Sequence, residues 1–515
     1  MPENQRPAKQ LLPALERIGG AVASKSQSLA VTFSGVCYDS RKVASGDAFV
    51  CIEGEKFDGN KFIDDAIKAG ASCIVSQRKS DRTLPVPYVV VSDVRSALAE
   101  LAAYFYNEPS SKIRLIGVTG TNGKTTTTHL VEHIFLADRR KIGLIGTLGA
   151  RWSEANQPSQ YIDTKHTTPQ ASDLQALLGD MSSKNVSHVA MEVSSHALAL
   201  ERVHGCEFAV ACLTNVTQDH LDFHKTMDHY WKAKRQLFEM LVKSRQTNKT
   251  SVINIDDELA PEFIKATSGT DVRTWTYGWK ENADMYVKGA TFDFRGTRLK
   301  LETPHGELDL NLHLNGRFNV YNVMAALLIC IAEGVDLEVC KEALEEFKGV
   351  AGRFETVSTG GDKPEPLCLV DYAHTPDGLE NVLKAARALV PDGGQLIAVF
   401  GCGGDRDATK RPQMGGIADN LADVLVVTSD NPRSENPTSI IDNILAGIKR
   451  KEGIIIEADR ARAIKQAVAK ATERDIVVVA GKGHETYQIL GDKTIDFDDR
   501  IEVRKALEAR KNGSR

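Results

Sequence analysis

The chain has 515 residues, 42% of them apolar and 26% charged, with a formal net charge of -5. That length exceeds what one hydrophobic core supports and points to about three domains. The slightly acidic balance excludes a general pull towards nucleic acid or anionic membrane, and no apolar run is long enough to cross a bilayer, so neither a nucleic-acid partner nor membrane insertion is expected. Nine cysteines are scattered without a Cys-x-x-Cys pair. With a polar start over residues 1–10, this predicts reduced thiols in a cytoplasmic protein, and nothing demands more than a monomer.

In chain order, residues 1–110 read as a smaller α/β domain. Short strands at 48–52, 73–75 and 88–91 mix with helical stretches, the last at 94–106. Asn107-Glu108-Pro109-Ser110-Ser111 breaks the pattern as a linker. Residues 111–348 form a central domain. Strands at 114–118, 142–145, 186–192 and 208–213 alternate with helices starting near 125 and 169, which predicts a parallel sheet covered on both faces. Between 287 and 312 the pattern changes to short alternating strands, so antiparallel pairing is expected there. Residues 349–515 read as a second α/β unit of Rossmann-like character, with strands at 367–370, 396–400, 424–427 and 476–480. The basic tail 510–515 reads as frayed.

The first chemical signal follows the strand at 114–118. Gly120-Thr121-Asn122-Gly123-Lys124-Thr125-Thr126 joins a glycine-rich turn to a helix start. Glycines let backbone N–H groups approach phosphate oxygens, and the helix aims its positive end at the same place. Lys124 reaches the β/γ-phosphates and the Thr125 hydroxyl is a Mg²⁺ ligand, so the loop predicts an ATP site. The strict spacing wants glycine where Val118 stands; here glycines fall at 117, 120 and 123. Glu192 ends a strand beside this loop, where a carboxylate holds Mg²⁺ directly or through water. His220, after the strand at 208–213, is a candidate for a second metal. Lys234, in Tyr230-Trp231-Lys232-Ala233-Lys234-Arg235, reads by itself as a solvated helix residue.

In the third domain, polar loops follow successive strands: Asp371-Tyr372-Ala373-His374, then Gly401-Cys402-Gly403-Gly404-Asp405-Arg406, Ser429-Asp430-Asn431-Pro432-Arg433 and Gly481-Lys482-Gly483-His484-Glu485. The last three are expected to converge at one sheet edge. They bring Arg406 and Arg433 together with Glu485, a constellation for a zwitterion. Taken alone, Asp-Asn-Pro-Arg reads equally well as a surface turn.

Together these motifs resemble the Mur ligase family of peptidoglycan synthesis over nearly the whole chain. Gly120–Thr126, Met191-Glu-Val-Ser-Ser-His196, Asn215-Val-Thr-Gln-Asp-His-Leu-Asp222, Asn315-Gly-Arg-Phe-Asn319 and Asp371-Tyr-Ala-His-Thr-Pro-Asp377 carry the likeness, in the family's order. Asp430-Asn431-Pro432-Arg433 resembles the branch that adds meso-2,6-diaminopimelate, rather than L-lysine, to UDP-N-acetylmuramoyl-L-alanyl-D-glutamate.

The resemblance implies an ATP- and Mg²⁺-dependent ligase working through an acyl phosphate. It implies that Tyr38 and Ser40 contact the uridine nucleotide, and that Thr167, Thr168, Ser194 and Arg202 contact the muramyl peptide. Asn319, Asn322, Arg353, Asp371 and His374 match the region contacting ATP. Arg406, Asp430, Asn431, Pro432, Arg433, Gly481 and Glu485 match the amino-acid pocket. Lys234 matches a lysine carbamylated in this family, whose new negative charge joins Thr125, Glu192 and His220 in holding metal; this replaces its bland reading. Leu200 stands where some members carry a polar contact. An L-lysine-adding ligase, a folylpolyglutamate synthetase-like ligase and a P-loop ATPase coupling hydrolysis to movement remain as alternatives.

Overall fold

The computed structural model describes residues 8–513 apart from 19–20, 23–31, 55–56, 81, 163, 165, 294–295 and 361–364. The polar start at 1–7 and the last two residues of the basic tail lie outside the described residues.

Apolar runs such as Arg114–Thr119, His188–Glu192 and Phe208–Leu213 are buried almost throughout, as strands covered on both faces require. They form the middle of an 11-stranded sheet. Arg114–Thr119 pairs in parallel with both His188–Glu192 and Phe208–Leu213, so three carboxyl ends meet at one edge. The expected antiparallel segment is present as Met285–Asp293, Gly296–Thr303 and Gly306–Leu312, which extend this same sheet as a meander. Helix Arg317–Ala332 is apolar on nearly every side and buried from Asn319 to Ile331 except at the half-buried Tyr321. It packs against the helix Lys124–Ala137 and so carries Asn322 to the glycine-rich loop, with Asn319 behind it.

A six-stranded sheet follows in the order Glu355–Val357, Leu367–Asp371, Ile476–Ala480, Leu396–Phe400, Val424–Val427, Ile454–Ile456. All but the first pair are parallel. The last parallel strand is inserted between the first and second, unlike the outward winding of a dinucleotide fold. That insertion places the loop after Ala480 between the loops after Asp371 and Phe400. The N-terminal sheet has five strands, four of them parallel: Tyr88–Val90, Cys73–Ser76, Asp47–Val50 and Gly35–Cys37.

Two expectations change. The break at 107–111 is an ordered turn with Pro109 and Ser110 buried, its Glu108 paired with Arg17 and Arg245. The basic tail is helical to its last described residue, in Asp499–Gly513, because Arg510 donates to the carbonyls of Val468 and Ala471 and pins the helix end.

Candidate active site

The glycine-rich loop is held from below. Thr121 N donates to Asn215 O at 2.7 Å and Asn122 N to Asn215 Oδ1 at 2.9 Å. Gly120 and Gly123 both have φ in the left-handed half of the map, +150° and +89°. A Cβ on Gly120 would overlap Thr214 Oγ1, and one on Gly123 would overlap Asn322 Oδ1, so close packing as well as φ demands glycine at both. Lys124 Nζ donates to the carbonyls of Gly120 and Thr121, both at 2.9 Å. Burial lowers its pKa, with Glu192 and Asp219 opposing.

Glu192 is enclosed at the end of its strand, taking bonds from Thr125 Oγ1 (3.0 Å), Thr147 N (2.8 Å) and Thr147 Oγ1 (3.0 Å). Arg353 Nη2 reaches the same Thr125 hydroxyl at 3.1 Å. Asn122 Nδ2 and Thr217 Oγ1 both donate to Asp377 Oδ2, at 2.6 and 3.2 Å. The third sheet is therefore closed onto the phosphate loop by two separate contacts.

Between them lies a cleft of about 530 Å³. Its lining includes Lys124, Thr125, Thr126, Thr167, Ser194, Asn322, Arg353 and Asp371. Asp371 takes bonds from Phe354 N and Ala373 N, yet burial raises its pKa to about 6. Burial lowers the pKa of the His220 imidazole, with Asp219 opposing, and lowers that of His374. His220 stands against Asp219 at 3.2 Å and packs edge-on against His196.

Lys234 departs most from its bland reading. It is 1% exposed, its Nζ donates to Gly120 O at 2.7 Å, and it lies 4.4 Å from the centre of the Tyr230 ring. Burial and neighbouring Lys124 drive its pKa well down, towards the neutral amine. It sits beneath the loop rather than on the cleft wall. Asn319 likewise stands behind, accepting from Asn322 Nδ2 at 3.0 Å. Among the described residues no three His, Cys, Asp or Glu side chains gather as a ready-made metal cage. The donors present, one carboxylate, a hydroxyl and a neutral imidazole beside a phosphate loop, fit Mg²⁺, which keeps waters and takes one or two carboxylates plus phosphate.

The muramyl-peptide candidates form a second group. Thr168 Oγ1 donates to Glu192 O (2.8 Å) and Ser194 Oγ (3.3 Å), Thr167 Oγ1 meets Thr147 Oγ1 (3.2 Å), and Arg202 Nη1 donates to Thr168 O (3.1 Å). Among the described residues the buried Arg202 Nε has no partner, which leaves a donor for an anion. Tyr38 donates to Asp173 Oδ2 at 3.1 Å and lies within electrostatic reach of Arg202; Ser40 opens the short 3-10 helix two residues on.

The third-domain loops converge as expected. Gly403 is flanked by Arg433 Nη1 and by the Arg406 side chain, and Arg433 Nη1 donates to Gly404 O at 2.7 Å. Arg433 itself has φ +53°, strain held by its N–H to Ile489 O and by Gly491 N to its own carbonyl. Asp430 is buried and its Oδ2 crowds Gly481. Pro432 is buried in the same turn. Gly481 N donates to Asp371 O at 3.0 Å, which links this pocket to the cleft. Asn431 Nδ2 donates to Glu485 Oε2 at 2.9 Å.

Reasoning from sequence missed Asp377, Thr147 and Lys482. Asp377 and Lys482 lay inside motifs already singled out; Thr147 had no signal.

A phosphate loop and an ionic pocket joined across one cleft define a nucleotide-dependent enzyme with a charged second substrate, and the chain belongs to the Mur ligase family. It matches the Mur ligase middle domain over residues 118–330, the Mur ligase glutamate ligase domain over 352–483 and the Mur ligase family catalytic domain over 32–106. A UDP-N-acetylmuramoyl-L-alanyl-D-glutamate--2,6-diaminopimelate ligase of Gloeobacter violaceus is 47% identical over 94% of this chain and 95% of the relative. One of Caldanaerobacter subterraneus is 44% identical over 93% and 95%. A solved structure described by that same enzyme name aligns with TM-score 0.68 at 33% identity, covering 95% of this chain and 97% of the other.

Proposed function

We propose that this chain joins meso-diaminopimelate to UDP-N-acetylmuramoyl-L-alanyl-D-glutamate, consuming ATP and releasing ADP and phosphate. The observation that carries the reading is the pairing of Arg433 and Glu485 loops at the strand ends with a phosphate loop closed onto them through Arg353 and Asp377. The ligase relatives, alike over nearly their full length, support it.

A carboxylate is a poor acyl donor to an amine. Transfer of the γ-phosphoryl group to a carboxylate oxygen makes a mixed anhydride; the amine nitrogen then attacks the carbonyl carbon and phosphate leaves with that oxygen. The protein's work is positioning and charge stabilisation. Lys124 and Arg353 bring positive charge to the phosphoryl oxygens. Asn322 and Asp371 border the nucleotide, and His374 closes that wall. Thr125, Glu192, His220 and Lys234, the last as a carbamate, would hold Mg²⁺, which when bound would neutralise charge on the transferring phosphate. Arg202, Thr167, Thr168 and Ser194 hold the muramyl peptide, with Tyr38 and Ser40 on the nucleotide end. Arg433 pairs with the far carboxylate of diaminopimelate, which L-lysine lacks, and Glu485 takes the ammonium beside it.

Phosphate release measured with the UDP-muramyl dipeptide, varying diaminopimelate, L-lysine and glutamate, tests the assignment. Release that depends on diaminopimelate is expected. Release indifferent to any amino acid would instead fit a P-loop ATPase.

A further inference from the structure

Lys482 is wholly enclosed, with no exposed side-chain surface, although lysine is among the residues least often buried. Its two neighbours in the chain are constrained to glycine. It stands between Gly481 (φ +122°) and Gly483 (φ +53°), where a Cβ would crowd Asp430 Oδ2 on one side and Gly352 O and the Tyr372 backbone on the other. Its ammonium donates to Glu485 Oε2 at 2.7 Å and to Asn431 Oδ1 at 3.2 Å, with the Tyr487 ring centre 5.4 Å away.

These bonds are lopsided. Asn431 Nδ2 also donates to Glu485 Oε2, at 2.9 Å. Asn431 Oδ1 accepts from Ile489 N at 3.0 Å as well as from Lys482. Both ends of the Asn431 amide are thus engaged within the protein. Two donors converge on one oxygen of Glu485, and among the described residues no donor is seen on Oε1.

We propose that Lys482 is a positioning residue of the amino-acid site: with Asn431 it fixes Glu485 by Oε2 and turns Oε1 to the ammonium of the incoming substrate. This rests on the proposed ligase function and deepens it. A glutamate side chain has three torsions to lose on binding, and anchoring one oxygen beforehand removes that cost from substrate capture. The pairing also works in reverse: Glu485 offsets the charge of Lys482, which unpaired and fully buried would be costly.

The test is a double-mutant cycle of Lys482→Met and Glu485→Gln in the full-length enzyme, with KM measured separately for diaminopimelate, ATP and the UDP-muramyl dipeptide. Lys482→Met should raise KM for diaminopimelate about tenfold or more, while KM for ATP moves less than about twofold. In the Glu485→Gln background the same substitution should add little. If Lys482→Met does not fold, Lys482→Gln, which keeps volume and a donor but removes the charge, goes through the same cycle. Equal changes for all three substrates, or additive effects of the two substitutions, would overturn the inference while leaving the ligase function standing. A wild-type enzyme that does not use diaminopimelate would overturn both.

Discussion

In the proposed function, single side chains would set the choice of amino acid and the charge at the phosphate. Arg433 is held by a strained backbone with its guanidinium already bonded to Gly404 O, so it is aimed before substrate arrives. Losing a charge-assisted pair costs about 1.5–3 kcal/mol, so Arg433→Ala should raise KM for diaminopimelate about tenfold to a hundredfold and leave KM for ATP nearly unchanged. Unaltered diaminopimelate kinetics would sink its proposed role. Lys234 is enclosed, and burial favours the neutral amine that reacts with carbon dioxide. Wild-type protein in ¹³C-bicarbonate should show a carbamate carbon signal that Lys234→Met lacks, and kcat of that variant should fall by at least about tenfold. A wild type without the signal would count against carbamylation.

At the scale of elements, two buried ion clusters hold the sheets. Arg460 and Asp499 are both fully buried and bidentate, at 2.7 and 2.8 Å. Arg460 also donates to Ser429 O and Ala480 O, so it ties the start of the last helix to the strand ends that carry the amino-acid pocket. Removing one partner of such a pair costs about 3–5 kcal/mol; Asp499→Ala should lose that much in denaturant unfolding, and a loss below about 1 kcal/mol would refute the buttress. At the opposite end of the central sheet, Arg114 makes two bonds to Glu333, at 2.7 and 2.6 Å, with His188 at 3.3 Å. The hydrogen bonds and charge of Arg114 and His188 outweigh burial and hold Glu333 at about 2, below its ordinary 4.5. Its pKa is depressed by folding, so its stabilisation is complete above pH 4.5 and is lost as pH falls towards 2. Wild type and Glu333→Gln should therefore converge in stability on acidification from pH 5 to 3; a constant gap would contradict this.

For the whole molecule, function depends on how the last sheet sits on the central one. Arg353 and Asp377 come from the third sheet's loops and touch Thr125 and Asn122 of the phosphate loop. Closure of this kind excludes water and assembles groups from distant elements. Small-angle scattering of the wild type should register a contraction when nucleotide and substrate are added, and Asp377→Ala should weaken it and slow kcat. Identical wild-type curves with and without ligands would contradict a closing motion.

Much of this was legible because local rules govern it. Apolar runs ending in Gly, Glu or Asn mark buried parallel strands with loops at their carboxyl ends, so the alternation, the phosphate loop and the Asp-Asn-Pro-Arg turn could be read directly. The strand at 114–118 and the meander at 287–312 stand almost where their patterns put them. Lys234 was misread on its own residues, since a Lys-Ala-Lys-Arg helix gives no sign of which lysine faces a neighbour. Tertiary packing settled that by laying this helix under Gly120. It likewise turned Lys482 inward between two glycines, and inserted the strand Ile476–Ala480 between its neighbours so that Glu485 meets Asn431. The sequence by itself determined which polar and charged groups stand at strand ends as candidates for phosphate and a zwitterion, because residue type and strand-end position can be read locally. Only the tertiary structure decided which of them share a cleft and which oxygen of Glu485 takes both protein donors, because those depend on contacts between residues far apart in the chain.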